Sequence, residues 1–346
     1  MTISLESVPS FSARAALAAA EQAYGIHGTV SALPSERDQN FLIVDPRGSS
    51  FVLKIANRDD APELLDFQNQ AMRLVAKSLP DLRVQRIVPS RKGRDLATVH
   101  NPREHTDHLA RLLTWIDGEV LARSGSRSPG LFESIGASMA KIDAALQGFA
   151  HPAMHRMLQW DLRHAGLARE HVHLLPRKRR AGIERTFASW EKIEWARLPH
   201  GVIHGDANDY NVVVDAGRMV GLLDFGDMVH SATVCDLAVA LAYAMLDEQQ
   251  PLAAAAQVIG AYHRYHPLSA AEQQVLFPLI LSRLAMSVCY AAHNRARNPE
   301  DAYQVVTEAA AWKLLDKLEL QSSGDVFTMI VDACGVPVHM QLNDCN

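Results

Sequence analysis

The chain has 346 residues, 48% of them hydrophobic and 21% charged, with a formal net charge of −5 at pH 7. That length and apolar fraction suffice for one large core or two smaller ones. The acidic balance excludes the broad basic field that nucleic-acid binding requires, so no nucleic-acid partner is expected.

The N-terminal segment MTISLESVPSFSARAALAAAEQAYG has neither the basic start nor the long apolar core of a signal peptide. Ser10 or Ser12 can cap a short Ala-rich helix that Gly25 ends. GTVSALP, NFLIVD and SFVLKI follow as strands. They are separated by the polar turn Ser35-Glu36-Arg37-Asp38-Gln39-Asn40 and the tight turn Pro46-Arg47-Gly48. Alternation in SFVLKI puts Phe51, Leu53 and Ile55 on one face and Val52 with Lys54 on the other. Helix-period residues run from Pro62 to Leu79, with an inward stripe of Leu65, Gln68, Met72, Val75 and Leu79. RVQRIVP, RDLATV and LARLLTW are further strand candidates, and Asp117-Gly118 is a natural break. A small sheet with one main helix therefore accounts for residues 1–115.

Beyond the break the spacing predicts helices at 129–147, 151–172, around 180–196, 234–248, 251–266, 270–295 and 301–320. The basic run Arg177-Lys178-Arg179-Arg180 reads as a solvated face. Cys235, Cys289, Cys334 and Cys345 have no CxxC spacing, which argues against zinc and disulfides. Arg283 interrupts the longest apolar run, so no membrane span and a cytoplasmic location are expected. Residues 116–320 form a helical second domain in this reading. Residues 321–346, with weaker periodicity, read as a tail or a linker to a fused or partner domain.

The only clear strand pair expected in this second half is HGDANDYNVVVDAGRMVGLLDFGD, residues 204–227. VVV and GLLDF are strands and AGR is the turn. A turn centred between Gly217 and Arg218 pairs Asp215 with Val220 and Asn211 with Asp224, on one face of the ribbon. A carboxylate and an amide carbonyl at the open end suit a hard cation such as Mg²⁺. Asp206, on the loop before them, is free to take a proton from a hydroxyl.

His204-Gly205-Asp206, Asn211 five residues later, and Asp224-Phe225-Gly226 resemble the kinase set of base, metal Asn and metal Asp. Gly205 stands where protein kinases carry Arg, which makes the motif similar to small-molecule kinases of the aminoglycoside phosphotransferase and choline kinase type. FVLKIAN, RLLTWIDG, GLLDFGDM and HPLSAAEQQVLFPLILSRLAMSVCYAAH extend the likeness to the 5-hydroxylysine kinases, over most of residues 25–318. The resemblance implies an α+β, bilobal protein-kinase-like fold, with a small antiparallel N-lobe sheet, one main helix there, and a larger helical C-lobe. It implies Mg²⁺-dependent transfer of the γ-phosphoryl group of ATP or GTP to the hydroxyl of a small amine or amino acid.

In that family pattern Lys54 holds the α- and β-phosphates, and Gln68 stands where a helix glutamate pairs with the lysine. No GxGxxG is present. Ser35 and Asn40, in the turn that replaces it, are candidate phosphate contacts, and Thr114, Trp115 and Ile116 seat the purine. His204 holds the loop and Asp236 braces it from below. Only nine residues separate Gly226 from Asp236 and no APE follows, so a peptide platform is missing and the acceptor is small.

Asp227, Asp209 and the pair Trp160-Asp161 suit an ammonium. Arg283 needs either an internal carboxylate or one from the acceptor. The acceptor read from these features is 5-hydroxylysine, with homoserine, ethanolamine or choline, and aminoglycosides as rivals. Five Trp and seven Tyr dispersed along the chain make no choline cage. A silent nucleotide-binding module is the rival of another class, and the intact Lys54, Asp206, Asn211 and Asp224 argue against it.

Overall fold

The strand segments of the first third pair with one another as antiparallel neighbours. A computed structural model describes residues 8–35, 37–125, 127–298 and 306–335. The chain divides into two compact units, Met1–Ala76 with Arg83–Asp117, and Lys77–Leu82 with Gly118–Asn346.

In the first unit the strands are β1 (Thr29–Leu33), β2 (Gln39–Val44), β3 (Ser50–Ile55), β4 (Arg83–Val84), β5 (Ile87–Val88), β6 (Ala97–Asn101) and β7 (Thr106–Thr114). The sheet runs β1-β2-β3-β7-β5, with β6 also pairing β7. RVQRIVP thus yields two very short strands in place of one. Helix α1 (Ala13–Tyr24) starts where the Ser12 side chain accepts from Ala15 N, and stops at Gly25, whose φ of 75° suits glycine. Its buried alanines and Tyr24 cover Phe41, Ile43, Leu53 and Ile55, the inward row of the sheet. Helix α2 (Pro62–Ser78) buries Leu65, Gln68, Met72 and Val75 as its spacing predicts, while Leu79 falls past its end.

The second unit contains β8 (Glu119–Val120), α3 (Pro129–Leu146), α4 (Gly166–Arg169), α5 (Arg177–Trp190), β9 (His200–Ile203), β10 (Val212–Asp215), β11 (Arg218–Leu222), β12 (Val229–Ala232), α6 (Val234–Ala244), α7 (Pro251–Tyr265), α8 (Ala270–Arg297), α9 (Glu308–Glu319) and α10 (Ser323–Ala333). Helix α8 is apolar and long enough to cross a bilayer, yet its most apolar window is 83% buried inside the protein. Cys235, Cys289 and Cys334 are buried free thiols, whereas Cys345 lies outside the described residues.

Four expectations need correction. Residues 151–172 are not one helix but short turns, Pro152–Met154, Leu162–His164, α4 and Val172–Leu174. Their buried residues Leu158, Leu162, Ala165, Ala168 and Val172 keep helical spacing, so successive single turns imitate one long amphipathic pattern. The hairpin is not the only strand pair of this half, because β9 pairs with β12 and β8 with β10. The segment after residue 320 is not simply a tail: α10 forms, with Val326, Ile330 and Val331 buried. Residues 301–305 and 336–346 lie outside the described set.

The fourth correction is the hairpin register. Ala216 and Gly217 both have positive φ, 47° and 72°, the signature of a two-residue turn flanked by Asp215 and Arg218. Asp215 therefore faces Arg218, and Val214 faces Met219. A shift between Val213 and Val214 then pairs Val213 with Gly221 and Val212 with Leu222. Asn211 does not face Asp224. Its carbonyl accepts from Leu223 N at 2.8 Å, and Asp224 comes just after the strand end.

Candidate active site

Strand β9 delivers the chain into the loop His204–Asn211. Its first two amides are fixed by one buried carboxylate: His204 N donates to Asp236 Oδ2 at 2.9 Å and Gly205 N to Asp236 Oδ1 at 2.8 Å. Gly205 has φ 80°, and a Cβ there would sit 2.7 Å from the Asp227 carbonyl oxygen, so both backbone and space require glycine. The buried His204 ring bonds Leu223 O through Nε2 at 2.9 Å, and its Nδ1 accepts from Asp206 N at 3.3 Å. That assigns a neutral Nε2–H tautomer, and burial lowers the imidazole pKa in the same sense.

Asp206 is held on both oxygens. Oδ1 accepts from Arg283 Nη2 at 2.7 Å; Oδ2 accepts from Asn208 Nδ2 and Asn211 Nδ2, each at 2.8 Å. Asn211 Nδ2 also reaches the Asp206 carbonyl at 2.9 Å. Burial, opposed by the Arg283 charge, pushes the Asp206 carboxyl up to about 6, and the charges of Asp227 and Asp224 act in the same direction as burial. Its side chain remains 18% exposed, enough for a small hydroxyl to reach it.

Asp224 has φ 54°, rare for a residue with a Cβ. Its Oδ1 accepts from Gly226 N at 3.0 Å and caps the turn Phe225–Asp227. The chemistry fits a hard cation, which would relieve the repulsion among Asp206, Asp224 and Asp227. The nitrogen of the Asn211 amide is committed to Asp206, so its carbonyl oxygen is the atom suited to a metal. Among the described residues no group of three or more His, Cys, Asp or Glu side chains is disposed to bind a metal. A cation here would have few protein ligands, as Mg²⁺ often does when phosphates and waters complete its shell.

Of the two partners that the sequence leaves open for Arg283, the second unit supplies the internal one, Asp206. The guanidinium is 2% exposed, with its carbon 4.5 Å from the Trp160 ring centroid and 5.3 Å from that of Tyr243, and Nη1 donates to Trp160 O at 3.3 Å. Asp161 departs from its expected ammonium-facing role. Its side chain is fully buried, accepting from Ser231 Oγ, Arg163 N and Arg163 Nε, and it caps the turn that Trp160 precedes. Asp209 is buried, its Oδ1 has no hydrogen-bond partner among the described residues, and burial pushes its carboxyl up to about 6.

In the first unit, Lys54 lies directly opposite Asn40 on β2 and Arg111 on β7. Lys54 Nζ meets Asp38 Oδ2 at 3.8 Å, so the polar turn supplies an ion partner for it. Gln68 accepts from Arg111 Nη2, and Asn69 accepts from Arg111 Nη1 at 2.9 Å. Among the described residues Asn40 Oδ1 is buried without a hydrogen-bond partner, an atom that a bound polar ligand would satisfy. Ser35 is half-buried beside Asp38's turn. Thr114 N donates to Arg86 O and its Oγ1 accepts from Arg86 N, each at 2.9 Å; Trp115 N donates to Ser50 O, Trp115 is 40% exposed and Ile116 is buried.

Sequence reasoning missed Asn208, Arg156 and Tyr243. Arg156 donates through Nε to Met228 O at 2.9 Å and through Nη2 to Gly226 O at 2.5 Å, clamping the backbone on both sides of Asp227. Asn208, two residues after Asp206, makes the Asx turn that such spacing favours, accepting from Tyr210 N at 2.8 Å. Arg156 and Tyr243 had no local signal.

The pattern of the phosphotransferase enzyme family (APH) matches residues 29–275, and the chain belongs to that family. It is a small-molecule kinase, a phosphotransferase acting on an alcohol, with an α+β protein-kinase-like fold. The chain is 30% identical over 342 residues to hydroxylysine kinase of Mus musculus, covering 90% of each. It is 26% identical over 259 residues to homoserine kinase of Methylobacillus flagellatus, covering 71% of this chain and 73% of the other. Among solved structures, a microcompartment-associated aminopropanol kinase superposes with a TM-score of 0.70 at 17% identity, covering 90% of this chain and 98% of that one. Amicoumacin kinase hAmiN, solved with AMP-PNP and Ca²⁺, superposes with a TM-score of 0.68 at 15% identity, covering 89% and 94%.

Proposed function

We propose that this kinase transfers the γ-phosphoryl group of ATP or GTP to the hydroxyl of a small amino-acid-like alcohol, with 5-hydroxylysine as the acceptor. The observation that carries the reading is the Asp206 carboxylate, held on three sides and still reachable. In that role Asp206 orients the acceptor hydroxyl and takes its proton as the oxygen attacks phosphorus. Asn211 through its carbonyl and Asp224 through its carboxylate would hold Mg²⁺, which when bound neutralises the developing phosphate charge. Lys54 holds the donor phosphates, with Asn40 and Ser35 beside it and Thr114 to Ile116 as the purine seat. Asp227, Asp209 and Trp160 face the acceptor amine; the unpartnered Asp209 Oδ1 supports this part. His204 and Asp236 serve the loop.

The acceptor rests on the hydroxylysine kinase relative, which matches along nine-tenths of both chains. Homoserine is the second reading, supported by the Methylobacillus relative. The test is ATP and GTP consumption against a panel of 5-hydroxylysine, homoserine, aminopropanol, ethanolamine, choline and an aminoglycoside. The highest kcat/KM is expected with 5-hydroxylysine. A higher value with homoserine selects the second reading, and no consumption with any acceptor favours a silent module.

Arg283→Met keeps the volume and removes the charge, leaving Asp206 in a largely buried place without its cation. The expected result is a fall in kcat of at least about tenfold at neutral pH, with Arg283→Lys between the two. An unchanged kcat with a raised KM, confined to acceptors that carry a carboxylate, would return Arg283 to the acceptor.

A further inference from the structure

Helices α3 and α7 approach closely because α3 carries Gly136, where a Cβ would lie 2.0 Å from Val258 O. Seven residues further along α3, on the same face, is Asp143; four further along α7 is Tyr262. The two meet in the seam, Asp143 3% exposed and Tyr262 fully buried, with the Tyr262 hydroxyl donating to Asp143 Oδ2 at 2.5 Å. Asp143 Oδ1 is buried and has no hydrogen-bond partner among the described residues. The carboxyl that bears most on Asp143 is that of Asp236 on α6, a helix packed against α3. Two carboxylates are both acceptors, so a hydrogen bond between them needs a proton on one. Both oxygens of Asp236 already accept from the amides of His204 and Gly205. The proton therefore belongs on Asp143.

We propose that Asp143 is a positioning residue for the phosphoryl-transfer loop: its carboxyl O–H is donated to Asp236, completing a hydrogen-bonded chain from Tyr262 to the His204 and Gly205 amides and so setting the place of Asp206. This rests on Asp206 as the base. The groups bearing on Asp143 are Asp236 from α6, Tyr262 from α7 and Glu272 from the first turn of α8. The other strands packed on α3, β9 and β11, contribute the exposed His200 and Arg218. Burial and then the Asp236 charge hold Asp143 well above the usual carboxylate range; the Tyr262 hydrogen bond opposes them and the Glu272 charge adds to them.

The sign of the pH effect follows. An unfolded chain releases the Asp143 proton near pH 4, and the folded chain keeps it to higher pH. The folded state binds the extra proton, so this group's contribution to stability falls as pH rises above about 4 toward the raised folded value. Asparagine does not titrate, and it offers an N–H to Asp236 and a carbonyl to Tyr262.

The experiment compares the full chain with D143N and D143L, by thermal unfolding from pH 5 to 8 and by nucleotide-consumption kinetics. D143N is expected to unfold at a higher temperature than the parent at pH 8, with the gap narrowing toward pH 5. Its kcat stays within about threefold, while D143L loses at least about tenfold in kcat at unchanged nucleotide KM. Equal pH dependence of unfolding in D143N and the parent overturns the proposal, as does a D143N kcat as low as that of D143L. The unfolding comparison needs no acceptor and no turnover. It therefore decides the state of Asp143 even if the base assignment fails or D143L does not fold.

Discussion

Asp206→Asn is expected to lower kcat by roughly two to four orders of magnitude while leaving nucleotide affinity intact. Asparagine keeps the volume and an oxygen for Arg283, but it cannot take the acceptor proton. It also leaves a guanidinium that is 2% exposed without a counter-charge. Breaking a buried pair from one side destabilises by up to about 5 kcal/mol, so the variant should unfold at a lower temperature. Adding Arg283→Met to it removes the stranded charge and should recover part of that loss. Turnover and nucleotide binding must be measured separately, at a temperature where the variant is folded. Near-normal turnover under those conditions would remove Asp206 as the base.

Asp224→Ala should abolish metal-dependent nucleotide binding, because it deletes the only carboxylate that the proposed cation site takes from the turn after β11. Alanine loses two other things as well. The cap on Gly226 N at 3.0 Å disappears, and φ 54° is strained by about 1–2 kcal/mol for a residue without a short polar side chain. Asp224→Asn separates these effects, since asparagine tolerates that backbone and can still accept from Gly226 N. Titrating Mg²⁺ against a fluorescent nucleotide should show the metal response lost in both variants, with stability lost mainly in the alanine. An unaltered Mg²⁺ titration in Asp224→Asn would count against the metal assignment.

The element order of the first unit was legible because each strand and helix there carries its own period. The Ser12 cap and the Gly25 stop are local chemistry, readable from a few neighbouring residues. The second unit was harder where single turns reproduce helical spacing, as between Leu158 and Val172. The hairpin shows a subtler failure. Its strands were visible, but Ala216 in the left-handed region moved the turn by one residue and a bulge shifted the pairs again. Asn211 still reaches the site, by its hydrogen bonds to Asp206 and not by facing Asp224.

By itself the sequence determined which residue types lie close along the chain: the His204–Asn211 loop, the Asp224 turn, the alternation that puts Lys54 opposite the apolar row. Short-range steric and hydrogen-bonding rules act over a few residues, so they leave a readable spacing. Which side chain neutralises which was decided only by the tertiary structure. Arg283 meets Asp206 from 77 residues away, Lys54 meets Asp38 in the turn before β2, and Asp161 turns inward to Ser231 from 70 residues away. A buried charge takes whatever partner packing brings within hydrogen-bond reach, and no local rule encodes that choice.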